Sequence, residues 1–199
     1  MENQNVFFFN SLIYFARAGT GVAVTTAFTF QTLKPMITYE AIGVIHSNWK
    51  QATGTPIQPC RSVGSPGQAV IDPRWVEGLA DLGGFDRVWL IFHCDRAAAP
   101  KMRVVPYRDT VTRSLFATRA PARPNPIGIS NVRIERIEGN VIHLLDVDIL
   151  DGTPLLDIKP YVPQYDNYPV TRCGWVDEVP DKVKVADARF ERQDASPQA

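Results

Sequence analysis

From Ala41 onward the chain alternates short apolar runs with stretches rich in Pro, Gly, Ser and Thr. Ala41–His46, Gln68–Asp72 and Val88–His93 are β-branched or continuously apolar, and each reads as a strand. Arg103–Pro106 and Ser114–Thr118 read as shorter ones. Ile127–Ile137 and Val141–Leu150 alternate apolar with polar residues around Glu138-Gly139-Asn140, a hairpin signal. Leu155–Ile158 adds a further strand. Asp72-Pro73 joins a capping carboxylate to a proline suited to a first helical turn. Trp75, Val76, Leu79 and Leu82 then recur at helical spacing, so the pattern predicts one clear helix that Gly83-Gly84 ends in a left-handed conformation. Many short strands, one helix and proline-rich connections predict a mainly β fold, a small β-barrel or curled antiparallel sheet rather than an alternating βα fold.

The first 34 residues differ from the rest: they lack proline, and only Glu2, Arg17 and Lys34 are charged. Asn10, Ser11 and Arg17 interrupt the apolar run that a signal peptide needs. Residues 1–35 are therefore expected to be an unstructured extension or an over-called start. The working domain is expected at 36–168, and residues 169–199 as a final strand near Cys173–Val176 and a flexible tail. No apolar run reaches the roughly 18–20 residues of a membrane helix. Cys60, Cys94 and Cys173 form neither a CxxC pair nor an even set, which points to a reducing, cytoplasmic compartment. His46, His93 and His143 have no zinc-ligand spacing, so no metal is expected.

The 21 basic and 21 acidic residues cancel, but they are not mixed evenly. Residues 96–136 hold 9 basic and 2 acidic side chains, and residues 137–199 hold 6 basic and 12 acidic. The basic stretch suggests an anionic partner, phosphate first; the alternative is a solvated face balanced by the acidic end. Asp81-Leu82-Gly83-Gly84-Phe85 superficially matches a nucleotide-binding glycine loop. The order is reversed, however, with a helix ending and a strand beginning there, so a helix cap is expected.

Two stretches concentrate candidate chemistry. In Phe116–Ser130, Pro121, Pro124 and Pro126 stiffen a loop that offers Arg119 and Arg123, guanidinium groups suited to carboxylate or phosphate. In Asp148–Tyr161, Asp151-Gly152 signals a turn, and Asp157, Lys159 and Tyr161 alternate onto one face of an extended chain. That face is either catalytic or a salt-bridged sheet surface.

These two stretches, FATRAPARPNPIGIS and DILDGTPLLDIKPYVP, resemble the signature blocks of the TsaA-like family, which includes the TrmO-type tRNA methyltransferases. AIGVIHS, GTPIQ and GLADLGGFDRVWLIFH agree in order, and the resemblance spans residues 40–168. It implies a non-Rossmann β-barrel homodimer that binds S-adenosylmethionine and methylates N6 of threonylcarbamoyl-adenosine at position 37 of tRNA. It places Pro56, Ile57 and Gln58 near the cofactor, with Ile57 standing where relatives often carry arginine. His93 and Cys94, Arg119, Ile129, and Leu150, Asp151, Gly152 and Thr153 match further cofactor positions; Arg123 and Asn125 belong to the same proline block.

The transferred methyl leaves a neutral thioether, whereas the acceptor nitrogen must lose a proton, so a base is wanted. Asp157 and Tyr161 are candidates, with Lys159 or Arg119 steadying the acceptor. Arg96, Lys101, Arg103, Arg108 and Arg113 precede the proline block and could hold an anticodon stem by its phosphates. Two other classes compete: a module that binds S-adenosylmethionine without transferring methyl, and a hydrolase or metal protein using His93-Cys94-Asp95. In the last, adjacent strand residues point to opposite faces.

Overall fold

The computed structural model describes residues 37–192; the expectations for residues 1–35 and for a tail at 193–199 lie outside the described residues. The described residues form β1 (Gly43–Ser47), β2 (Gly67–Ile71), β3 (Arg87–His93), β4 (Arg103–Val104), β5 (Arg113–Ser114), β6 (Ile127–Glu138), β7 (Val141–Leu145) and β8 (Thr153–Pro160). Six of them close into a barrel in the order β1-β2-β7-β6-β3-β8, every pair antiparallel. The barrel expected from the pattern is thus present. β4 and β5 pair separately, within the excursion between β3 and β6.

Alternation explains the barrel's interior. Ile45, Ala69, Ile71, Val88, Leu90, Val132, Ile142, Leu144 and Leu155 are buried and pack as one cluster, because every second residue of a strand faces the same way. A six-stranded barrel is narrow enough for such side chains to fill it. Gly128 sits opposite Phe92 in the β3–β6 register. A Cβ there would come within 2.2 Å of the Phe92 ring, so only glycine lets that ring lie against the neighbouring strand. The β6–β7 hairpin turns through Gly139 at φ +59°, as the Glu-Gly-Asn signal predicts.

Four local expectations need correction. The helix expected after Asp72 is instead two 3-10 stretches, Pro73–Leu79 and Leu82–Gly84. Asp72 does cap the first, accepting from the Arg74 N–H at 2.9 Å. Gly78, the second-last residue of that stretch, weakens an α-helix too short to propagate well alone, and neither Gly83 nor Gly84 takes a positive φ. The strand predicted over Ser114–Thr118 pairs only at Arg113–Ser114 and then coils into a 3-10 turn, Leu115–Ala117. The strand predicted to reach Leu150 ends at Leu145, because Asp146 turns left-handed at φ +67°. The strand predicted near Cys173 is a 3-10 turn, Gly174–Glu178; the helical turn α1 (Pro163–Asp166) lies before it.

The segment after α1 packs back on the excursion. Phe190 is 6% exposed and forms a second small core with Val104, Leu115, Ala120 and Ala122. Its ring meets Tyr107 edge-on at 5.1 Å, and its carbonyl accepts from the Ala98 N–H at 2.8 Å. Pro56 bridges to Val185 and Ala97 to Glu191. Phe190→Ala is expected to cost about 3 kcal/mol, the usual loss for a buried phenylalanine. Phe116→Ala, at a ring 75% exposed, should cost less than about 1 kcal/mol. Urea denaturation of the two variants measures the difference.

Candidate functional site

After β7 the chain leaves the sheet at Asp146 and crosses the end of the barrel as a strap, residues 146–152. The turn is fixed by charge: Asp146 accepts from Arg87 Nη2 at 2.5 Å and from the Gly64 N–H at 2.8 Å. Arg87 also donates to the carbonyl and the side chain of Asn131. Val147 and Ile149 then point into the core. The Val147 carbonyl accepts from Ser62 Oγ and Trp49 Nε1, and the Ile149 carbonyl from Ser47 Oγ. Alternation sends Asp148 and Leu150 the other way, into a cleft of about 370 Å³.

Four other segments complete the cleft: 52–58 from the first loop, 92–97 from the end of β3, 118–130 from the proline block, and 186–191 from the C-terminal segment. Phe92, Ile57, Ile127, Ile129, Leu150 and Phe190 make it largely apolar, while Gln58, Arg119, Arg123, Ser130, Asp148 and Thr153 supply polar groups. A mainly apolar wall with few polar groups is the usual form of a small-molecule site. Arg119 Nη1 donates to Gln58 Oε1 at 2.6 Å, which ties the proline block to the first loop. Arg96 Nη2 donates to the Asp151 carbonyl at 2.8 Å and to Thr153 Oγ1 at 3.2 Å. A wider groove of about 520 Å³ adjoins the cleft, sharing Ile57, Gln58, Tyr107, Thr118, Arg119 and Phe190 and adding Phe116 and Trp175.

The candidates named from sequence divide into groups. Pro56, Ile57, Gln58, Cys94, Arg119, Arg123, Ile129, Leu150 and Thr153 line this one cleft. Asp151 and Gly152 form the adjoining turn without lining it. The Asp151 carboxylate is held down near pH 2 by Lys50 at 2.7 Å, the Ser47 N–H and His46. His93 is exposed and points away, one residue before Cys94, and Asn125 is exposed at the loop's tip.

Asp157, Lys159 and Tyr161 share a face, as their spacing predicts, but that face is the barrel's outer wall. A β-bulge at Leu156, where Ile91 pairs with Asp157 and Phe92 with Leu155, sets that parity. Lys159 Nζ lies 2.9 Å from Asp157 Oδ2, and Tyr161 packs edge-on against Trp89.

Of the arginines proposed for phosphate, Arg113 pairs with Asp109 at 2.7 Å and covers Trp175. Arg108 lies 3.3 Å from Asp181. Arg103 is exposed and has no side-chain partner among the described residues. The acidic C-terminal stretch therefore neutralises part of the basic one locally.

Three titrating groups in the cleft are perturbed, and burial raises the first, the Tyr107 hydroxyl, to about 12. Burial pushes the Cys94 thiol up to about 11, with Asp95 and Asp148 adding to the shift, so it is no thiolate near neutrality. Burial likewise raises Asp148 to about 7, against the Ser130 hydroxyl and the Arg119 charge, which favour the ionised form. Its Oδ1 is sealed from solvent and has no hydrogen-bond partner. Sequence reasoning quoted Asp148 within its block without singling it out, and it gave no cleft role to Ala186, Phe190 or Glu191. Among the described residues no three His, Cys, Asp or Glu side chains are grouped to hold a metal, and no helix is long and apolar enough to cross a membrane.

Residues 44–167 match the family model described as the tRNA-methyltransferase O N-terminal domain. The chain belongs to the TrmO family. It is 46% identical over 157 residues to a Pyrococcus abyssi protein named "Probable S-adenosyl-L-methionine-binding protein", covering 78% of this chain and 85% of that one. It is 37% identical to the mouse tRNA (adenine(37)-N6)-methyltransferase over 64% of this chain and 31% of the mouse protein. The crystal structure of TrmO from Pseudomonas aeruginosa superposes with a TM-score of 0.63 at 36% identity, over 73% of this chain and 65% of that one. This TrmO-family chain thus spans less than a third of the mouse enzyme and just under two thirds of the crystallised bacterial protein. The matched region includes four of the five cleft segments and stops short of the fifth, 186–191.

The raised Asp148 carboxyl has a consequence for stability. Its folded value of about 7 lies above the ordinary 3.8, so between these limits the folded chain binds the proton more tightly than the unfolded one. Its contribution is therefore greatest below pH 4 and falls as pH rises toward 7. Asp148→Asn should flatten that decline and raise stability at pH 8, by on the order of 2–4 kcal/mol. Denaturant unfolding of both proteins between pH 4 and 8 measures it.

Proposed function

We propose that the protein is an S-adenosylmethionine-dependent tRNA methyltransferase that acts on N6 of threonylcarbamoyl-adenosine at position 37. The observation that carries this reading is the convergence of both signature blocks and the first loop on one cleft. The cleft's volume falls in the range of small-cofactor sites. The residues present suit S-adenosylmethionine: Ile57, Leu150 and Phe190 offer apolar walls for an adenine ring, and Arg119, braced by Gln58, offers a fixed guanidinium to a carboxylate. Leu150 and Thr153, on either side of a turn whose Asp151 carbonyl is held by Arg96, line the same cleft.

When bound, S-adenosylmethionine supplies an electrophilic methyl group on a sulfonium whose thioether leaves neutral. The chain's contribution is mainly positional, since in-line displacement gains most from fixed orientation. The strap and the proline block provide that rigidity: one is anchored by backbone bonds across the barrel, the other is stiffened by three prolines. Exposed Lys101 and Arg103 are offered to the RNA phosphates. The aromatic groove beside the cleft, with Phe116 and Trp175, suits an unstacked base. The protein acts in the cytoplasm, consistent with its unpaired cysteines, and as a homodimer, as its family resemblance implies.

Methyl transfer from labelled S-adenosylmethionine to total tRNA from a strain lacking the gene, followed by nucleoside mass spectrometry, tests the reading. The expected product is N6-methylated threonylcarbamoyl-adenosine. Arg119→Ala should raise the KM for S-adenosylmethionine roughly tenfold, the loss of one charged hydrogen bond. Binding of S-adenosylmethionine with no methyl incorporated into any tRNA would instead identify a binding module without transferase activity.

A further inference from the structure

We propose that Asp148 is the base that takes the proton from the acceptor nitrogen; this rests on reading the cleft as a methyl-transfer site. The strap carries three carboxylates, and they differ in one respect. Asp146 is neutralised by Arg87 and capped by the Gly64 N–H. Asp151 is held by Lys50, His46 and the Ser47 N–H. Asp148, the one that lines the cleft, has an Oδ1 sealed from solvent with no donor.

Both oxygens of a carboxylate with a structural task are normally satisfied when sealed from water, and leaving one orphaned is costly. The cost is sustained because Val147 and Ile149, locked in the core on either side, leave Asp148 no other direction to point. A half-buried carboxylate that faces a cleft with one oxygen orphaned, and only the Ser130 hydroxyl and the Arg119 charge favouring its ionised form, is poised to react. Asp157 and Tyr161, on the outer barrel wall, line no part of this cleft.

The chemistry needs a proton acceptor. The nitrogen's lone pair forms the bond to the methyl carbon, and the electron pair of the broken carbon–sulfur bond stays on sulfur. The nitrogen is left with a proton it cannot keep, because its neighbouring carbonyl and purine ring withdraw electron density. Asp148 accepts that proton on a carboxylate oxygen and passes it to water once the product has left. A group whose ordinary range has been lifted to about 7 is well matched to this task near neutral pH. The charged and titratable groups facing it are Arg119 from the proline block and Cys94, followed by Asp95, from the end of β3; the Ser130 hydroxyl approaches from β6.

The test compares wild type with Asp148→Asn and Asp148→Glu, using S-adenosylmethionine and tRNA that carries the unmethylated nucleoside. Asp148→Asn should lower kcat by about 100-fold or more, the usual scale of general-base loss. Its Kd for S-adenosylmethionine, read by calorimetry, should stay within about threefold of wild type, a change too small for a lost charged contact. The wild-type kcat should fall toward acid pH, and Asp148→Asn should lose that limb. Asp148→Glu should recover part of the rate.

A variant with unchanged kcat, or one whose loss lies wholly in a weakened Kd for S-adenosylmethionine, overturns the assignment while leaving the methyltransferase reading intact. A wild-type protein that binds S-adenosylmethionine yet methylates no tRNA overturns that reading, and this inference with it.

Discussion

The ion pair between Arg87 and Asp146 governs where the chain goes after the last strand of the β6–β7 hairpin. Left-handed backbone at a non-glycine residue is uncommon and is tolerated best by Asp and Asn. Here the carboxylate that permits the turn also neutralises an arginine on β3, so one residue sets both path and charge. A half-buried pair of this kind adds little net stability. Its effect is on geometry: without the turn, residues 147–150 would continue the strand, and Asp148 and Leu150 would no longer look into the cleft. The barrel would survive such a change better than the site would.

The division of labour between the two cores follows from the same geometry. The barrel's interior is filled with side chains, so it offers no room for a ligand, and the cleft has to be built outside it. The strap, the first loop, the end of β3 and the proline block form four sides. The fifth comes from residues 186–191, docked on the small core around Phe190. The C-terminal segment is thus part of the wall, although it lies beyond the stretch that the family model matches.

Much of the barrel could be read from the chain because its strands obey a two-residue period and its hairpin carries a glycine turn. What escaped were features that periodicity does not encode. The 3-10 stretch after Asp72 has its apolar residues at helical spacing, but Gly78 and its short length favour the tighter coil. The bulge at Leu156 changes which face Asp157 and Lys159 occupy, and an uninterrupted alternation cannot reveal it. Pro56, Ile57 and Gln58 of the first loop and Arg119 and Ile129 of the proline block meet at one cleft, a grouping that a two-residue period does not encode. Asp148 went unremarked because an orphaned oxygen is a property of the folded neighbourhood, not of the residue. The role of Phe190 was hidden for the opposite reason: a lone aromatic in a polar stretch leaves no pattern at all.

The bond from the Ala52 N–H to the Glu191 carboxylate spans 139 positions, while the β6–β7 hairpin closes over two residues. Closing so long a loop in an open chain carries a far larger entropic penalty than closing a hairpin, and contacts of great sequence separation tend to slow folding. Once the barrel stands, however, its strands have already drawn the two ends together, and the remaining closure is local. The cleft's last wall therefore belongs late in the order of assembly. By the same reasoning it opens early under native conditions, with its amides exchanging ahead of those in β3 and β6. A cleft that can part along one seam without unravelling its barrel has a built-in route for a bulky molecule to enter and leave.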